Sequence, residues 1–340
     1  MVTVHVEGTI VAGDSLEPIR GRVVVEEGRI RAVEECATDS TDVILPAFVN
    51  AHTHIGDSVA KEAAVGLSLE EAVVPPTSRK HRRLQAASRQ ELVTAMRRTM
   101  AFMETTGTAA FLDFREFGTE GALALRDAAS EQAVRSFVFG SDDPDVLDVA
   151  DGYGASGAND SDFTRHREAA QAAGKPFAIH AGEPDATDIH PALDLDPDLL
   201  VHMVHAASEH LSRVAERDVP IAVCPRANLV LGVGSPPLRE LLDHTTVALG
   251  TDNAMLNAPS MFREMAYTSK AFDVTPREVL GMATRAGAAV ADLNCGVVES
   301  GRDAKLLVLD GDSDNLAGYD DPIAAIVRRA SARDVKRAIL

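Results

Sequence analysis

Long apolar runs are missing from this chain of 340 residues. No stretch approaches the roughly 20 residues that a membrane-spanning helix needs, which excludes an integral membrane protein of the helical kind. The N-terminus, Met1-Val-Thr-Val-His-Val-Glu-Gly, has no basic region and no long apolar core. It does not read as a signal peptide, and the expected location is cytoplasmic. Cysteine is scarce: Cys36, Cys224 and Cys295 are far apart and form no CxxC pair. That excludes a disulfide framework and a thiolate zinc site, and the three are expected to be small buried hydrophobes. GxxxxGK[ST] does not occur, and no GxGxxG loop suggests a nucleotide-binding fold. Internal repeats and low-complexity segments are missing as well.

Lysine occurs only at positions 61, 80, 175, 270, 305 and 336, and 52 acidic residues face 33 basic ones, for a formal charge of −19. So negative a field repels phosphate and disfavours nucleic acid and anionic membranes as partners. Abundant Asp and Glu with little Lys is also the composition expected of a protein adapted to molar salt. Otherwise the balance is ordinary for a globular protein, with 45% hydrophobic and 25% charged residues. The length suits one large domain, alone or with a small appendage.

Residues 1–45 read as short strands: Val2–Val6 alternates, Glu7-Gly8 is expected to turn, and Arg22–Val25 and Arg29–Val33 flank Glu27-Gly28 as a hairpin. Beyond residue 45, apolar runs of strand length alternate with helical segments, the signature of βαβ units and a parallel sheet. The eight runs are Val43–His54, Thr108–Glu116, Ala133–Asp142, Val149–Gly157, Pro176–Glu183, Leu199–Ala206, Pro220–Asn228 and Thr246–Asp252. Helices are expected at Arg89–Thr105, Thr119–Glu131, Asp162–Ala173, Ser208–Arg217, Pro236–Asp243, Ser260–Lys270 and Pro276–Asp292, with a degraded one at Asp142–Asp148. Eight strands with crossover helices over about 250 residues match a (β/α)8 TIM barrel of the α/β class. Three later segments, Lys305–Leu309, Ile323–Arg328 and Asp334–Leu340, read as strands. The expected organisation is a composite β-domain from residues 1–45 and 300–340 beside a barrel of residues 46–299.

The polar residues fall at the ends of these runs. His52 and His54 end the first, Glu116 the second, His180 and Glu183 the fifth, His202 and His205 the sixth, and Asp252 the eighth. In a barrel those ends share one face, where active sites sit. Two-residue spacing on a strand points His52 and His54 to the same side. Three neutral imidazoles and a carboxylate, His52, His54, His180 and Asp252, suit one divalent ion, zinc first, with iron or manganese as alternatives. Such an ion leaves room for a water whose pKa falls to near 7. Attack on an unsaturated carbon also needs a proton carrier, and Glu183 lies three residues past His180 on the same rim.

With those pieces in hand, the sequence resembles the amidohydrolase superfamily, in its cytosine, guanine and S-adenosylhomocysteine deaminase and chlorohydrolase-like branch. The matching segments are Leu45-Pro-Ala-Phe-Val-Asn-Ala-His-Thr-His54, Ile179-His-Ala-Gly-Glu183, Val201-His-Met-Val-His205, Cys224-Pro-Arg-Ala-Asn228, Leu249-Gly-Thr-Asp252 and Gly301-Arg-Asp-Ala-Lys-Leu-Leu-Val-Leu-Asp310. The resemblance implies catalytic roles for Glu183 (proton transfer), His202 (polarising the substrate or holding the tetrahedral intermediate) and Asp252 (helping to deprotonate water), with His205 the rival for the His202 role and otherwise structural. It also places Arg226 and Asn228 near the substrate. Ala47 replaces the family's usual Gly, and the chain is short for the branch. No Lys ends the fourth run, which argues against a carbamylated two-metal centre.

The resemblance implies a hydrolase of non-peptide C–N bonds: an aminohydrolase (deaminase) of a purine, pyrimidine or pterin-like heterocycle. Cyclic-amide hydrolysis of the imidazolone type on the same site is the alternative, and a non-catalytic binding protein a remote one. Homo-oligomers are common among relatives. The run Arg79-Lys80-His81-Arg82-Arg83 stands out on so acidic a chain. Lys80 and Arg82 are expected to hold an anionic group of the substrate, with Glu116, Asp57 and Lys61 as further contacts.

Overall fold

A computed structural model describes residues 3–340. The chain divides into two compact units, one of residues 1–49, 102–110 and 260–340, the other of residues 50–101 and 111–259. No helix among the described residues is long and apolar enough to cross a membrane.

The first unit is built on a six-stranded sheet drawn from both ends of the chain. Its strands are β1 (Thr3–Ala12), β2 (Glu17–Glu26), β3 (Arg29–Glu35), β4 (Val43–Pro46) and two from the C-terminal region, Leu306–Leu309 and Val335–Ile339. Neighbours run Val335–Ile339, Leu306–Leu309, β4, β1, β2, β3. Val6, Ile10, Val23, Ile44, Leu306 and Val308 pack one face, as period-2 alternation directs. The expected start at Val2 lies outside the described residues. Glu7-Gly8 is not a turn, because β1 runs straight through it. Gly8 serves close approach instead: a Cβ there would collide with the Asp42 carbonyl. The segment expected as a strand at Ile323–Arg328 is a helix, Pro322–Arg328. Asp321 caps it by accepting from the Ile323 and Ala324 amides, and Pro322 opens it, start signals that outweigh the β-branched residues inside.

The nine-stranded sheet contains β5 (Phe48–His54), β6 (Thr108–Arg115), β7 (Arg135–Gly140), β8 (Gly152–Ala155), β9 (Phe177–Ala181), β10 (Leu199–His202), β11 (Ile221–Val223), β12 (Val247–Leu249) and β13 (Asp252–Asn253). Neighbours run β12 back to β5 in reverse chain order, then β13. β7–β8, β8–β9, β9–β10, β10–β11, β11–β12 and β13–β5 pair in parallel. The eighth expected strand is thus two pieces. β12 pairs with β11, Gly250-Thr251 intervenes, and β13 pairs with β5, setting Asp252 opposite Thr53. This α/β order is consistent with a TIM-like barrel. Strands such as β6 are buried along their whole length, which explains their continuous apolar sequence.

Helices Arg89–Thr105 and Ser208–Arg217 lie where the pattern places them. Two expectations change. The seventh strand ends at Val223, and Pro225–Leu231 is a helix opened by Pro225. The basic run is itself a helix, Arg79–Ala86, capped by the Ser78 hydroxyl. Of the cysteines, Cys224 and Cys295 are buried, but Cys36 is exposed just past the end of edge strand β3.

Candidate active site

The C-terminal ends of β5, β9 and β10 and the first residue of β13 bring His52, His54, His180, His202 and Asp252 together. His52, His54 and His180 offer nitrogens within 4.8 Å of one another, as do His52, His202 and Asp252 with their ligand atoms. His52 Nε2 lies 3.4 Å and His54 Nε2 3.7 Å from Asp252 Oδ1. The His52 ring centroid is 4.9 Å from both the His54 and the His180 centroids, and Phe114 lies 4.5 Å from it.

Hydrogen bonds decide which nitrogens face inward. His180 Nδ1 lies 2.8 Å from the Ala155 carbonyl, which only accepts, so the proton sits on Nδ1 and Nε2 keeps its lone pair. His54 Nδ1 lies 3.1 Å from Glu116 Oε1, with the same consequence. Both nitrogens of His52 are buried without a hydrogen-bond partner. An orphaned buried imidazole beside two rings with free lone pairs and a carboxylate is what a divalent ion would satisfy. The group His52, His54, His180 and Asp252 therefore fits a metal. Burial, with the neighbouring His180, holds His52 well below the usual imidazole range, and burial beside Lys80 brings His54 to about 3. Neutral rings are the ligating form.

Local sequence builds this geometry. Gly250 is required because a Cβ there would fall on His52 and on the Cys224 sulfur. Asn50 ties β5 to the break between β12 and β13, its Nδ2 donating to the Thr251 hydroxyl at 2.7 Å and its Oδ1 accepting from the Thr251 amide at 3.1 Å. Asp252 and His202 have φ of +58° and +75°, left-handed conformations that cost non-glycine residues energy.

Glu183 Oε2 lies 3.7 Å from His202 Nε2. Burial, reinforced by the Asp252 charge, pushes the Glu183 carboxyl up to about 8. His202 is 1% exposed, whereas His205 is exposed. Asn228 Nδ2 lies 3.2 Å from His202 Nδ1, so the helix-borne amide meets the histidine ring. Arg226 Nη2 donates to the Ala258 carbonyl at 2.8 Å.

The basic run is divided by its helix. Lys80 is 4% exposed and ion-pairs with Glu116, while Arg82 and Arg83 are exposed. Lys80 and Arg82 do not form one patch, because two positions on a helix are about 200° apart. Burial opposes ionisation of Glu116, but Arg115 and Lys80 outweigh it and hold the carboxyl well below its usual range. Asp57 is fully buried, accepting from Asn253 Nδ2 at 2.8 Å and the Met255 amide at 2.9 Å, and Lys61 is exposed.

Sequence reading did not single out Asp113 and Arg115. Asp113 Oδ1 accepts from the Ile55 amide at 2.6 Å and lies 3.0 Å from the Thr53 hydroxyl. Arg115 donates to Asp113 Oδ2 at 3.3 Å and to Glu116. Two charged residues inside an otherwise apolar strand were the available signal, since such groups are buried only when paired.

Residues 43–340 match the amidohydrolase family model. The chain belongs to the amidohydrolase family. It is 33% identical to a protein provisionally named an aminohydrolase from Methanothermobacter thermautotrophicus, over 96% of this chain and 95% of that one. It is 26% identical to a 5-methylthioadenosine/S-adenosylhomocysteine deaminase from Halobacterium salinarum, over 98% and 88%. Among solved structures it is similar to atrazine chlorohydrolase from Arthrobacter aurescens complexed with zinc, with a TM-score of 0.83 at 19% identity over 99% and 93%.

Proposed function

We propose that this chain is a metal-dependent aminohydrolase that releases ammonia from a purine, pyrimidine or pterin-like heterocycle. The observation that carries the reading is the buried group of His52, His54, His180 and Asp252 with Glu183 and His202 at its edge. The deaminase and aminohydrolase names of the relatives point the same way. We take the nine-stranded sheet as a (β/α)8 barrel and the terminal strands as a composite β-domain.

His52, His54, His180 and Asp252 would hold one divalent ion, zinc first. When bound, that ion supplies a water acidic enough to act as nucleophile near neutral pH. Glu183 carries protons in this scheme. It takes one from the attacking water and delivers it to the departing nitrogen, a task suited to a carboxyl raised into the neutral range. Overall, one C–O bond forms, one C–N bond breaks, and ammonia leaves. His202, neutral because it is buried, donates a hydrogen bond to the substrate, and Asn228 orients its ring. Arg226 steadies the loop through Ala258 and lines the substrate side.

The test is metal analysis joined to an ammonia-release screen over purines, pyrimidines, pterins and their phosphates. One equivalent of metal with ammonia release supports the reading; ring opening without ammonia points to cyclic-amide hydrolysis. The charge of −19 supports a further reading, adaptation to high salt, which full stability without salt would refute.

A further inference from the structure

Glu116 sits at the junction of two layers. Along β6, Asp113 and Arg115 share one face of the strand and Phe114 takes the other, and Glu116 is the first residue past the strand. Phe114 packs 4.5 Å from His52 and 5.1 Å from His180, which marks its face as the one turned to the histidines. Glu116, just beyond the strand, reaches the same histidines: its Oε1 meets His54 Nδ1 at 3.1 Å. The same carboxylate takes Lys80 on Oε1 and Arg115 on Oε2.

The opposite face clamps the same strand end. Asp113 binds the residues on either side of His54, the Thr53 hydroxyl and the Ile55 amide. Arg115 joins the two carboxylates, bonding Asp113 and Glu116 together. Its guanidinium occupies space that a Cβ at Gly56 would fill. Backbone and ring of His54 are thus both fixed, and by one connected set of charges.

We propose that Glu116 is a positioning residue for His54, that Lys80 and Arg115 hold it in that role, and that Lys80 is therefore not a receptor for substrate anions. This rests on His54 being a metal ligand. An ionised carboxylate only accepts, so it forces the Nδ1–H tautomer and aims Nε2 at the centre. A ring fixed in this way binds metal better, and loss of such a partner typically costs 10- to 100-fold in metal affinity. The commitment of Lys80 follows from its burial: an ammonium at 5% side-chain exposure is strongly disfavoured unless paired, and Glu116 is its carboxylate partner.

The experiment uses the full chain loaded with Zn²⁺ or Co²⁺ and follows metal transfer to a chromogenic chelator, together with the visible absorption of the Co²⁺ form. Glu116→Ala is expected to release metal at least tenfold faster and to alter the Co²⁺ spectrum. Glu116→Gln keeps an acceptor oxygen and should recover most of both. Lys80→Met should shift release in the same direction by a smaller factor. Circular dichroism checks folding, and should Glu116→Ala not fold, Glu116→Asp, which draws the carboxylate back from His54, takes its place. Wild-type release from Glu116→Ala or Glu116→Asp would overturn the inference, as would wild-type release from Lys80→Met with a raised KM for phosphorylated heterocycles alone. If the wild-type chain itself binds no metal, the reading of the centre fails instead.

Discussion

The strand ends and the two helices Arg79–Ala86 and Pro225–Leu231 treat their polar residues differently. On the strands, His52, Asp252 and His202 are 0%, 3% and 1% exposed, and their neighbours leave little freedom in direction. On the helices, adjacent or near-adjacent residues part company. Lys80 is 4% exposed while Arg82 is exposed, and Asn228 is 0% exposed while Leu229 is 59% exposed. A strand alternates strictly, so two histidines two apart share a face. A helix turns 100° per residue, so a run of like residues is spread around it. The strand ends therefore gather the candidate ligands, and each helix buries a polar residue, Lys80 or Asn228, that meets a side chain of the strand-end cluster or its flank.

The sharpest way to break this contrast is to empty the strand-end group. Dialysis against a chelator should reduce turnover to background, and one equivalent of zinc should restore it. Undiminished turnover by protein holding less than about a tenth of an equivalent, by elemental analysis, would detach function from the histidines. Next in size is Glu183→Gln. It removes proton transfer but not a ligand, so kcat should fall by about 10²- to 10⁴-fold with metal content unchanged. A loss of less than tenfold would move that role elsewhere.

How legible this was differs by residue. His52-x-His54 needed one assumption, that the run ends a strand, and β5 ends at His54. His180 and His202 likewise end or nearly end β9 and β10. Asp252 was placed, but the break at Gly250-Thr251 was not, because it depends on which neighbour each half-strand pairs with. Asn228 was read as a strand-end group facing substrate; Pro225 moves it onto a helix against His202. The basic run carried no sign of its phase, and only the pairing of Lys80 with Glu116, 36 positions later in the sequence, splits it from Arg82. Asp113 and Arg115 have meaning only as partners of Thr53, Ile55 and Glu116. Pairings across long separations are what local pattern does not encode.

A smaller effect compares neighbours on the Pro225–Leu231 helix. Asn228→Ala removes one hydrogen bond to His202, worth about 1 kcal/mol. That corresponds to a fall in kcat of roughly fivefold to tenfold. Leu229→Ala, one residue along and facing outward, should leave kcat and metal content unchanged. Equal losses in the two variants would mean that the helix acts as a whole rather than through its buried amide.

The smallest expected effect tests the exposed side of the basic helix. Arg82 is exposed, and exposed charges beyond about 8 Å are largely screened at physiological ionic strength. Arg82→Glu should raise KM for a phosphorylated heterocycle by no more than about twofold in dilute buffer, and the difference should vanish in molar salt. KM for a neutral heterocycle should not move. A rise of tenfold or more that persisted in salt would need a direct contact between Arg82 and the substrate. It would show that this helix turns two cationic residues, not one, toward the site, and the division between its faces would no longer hold.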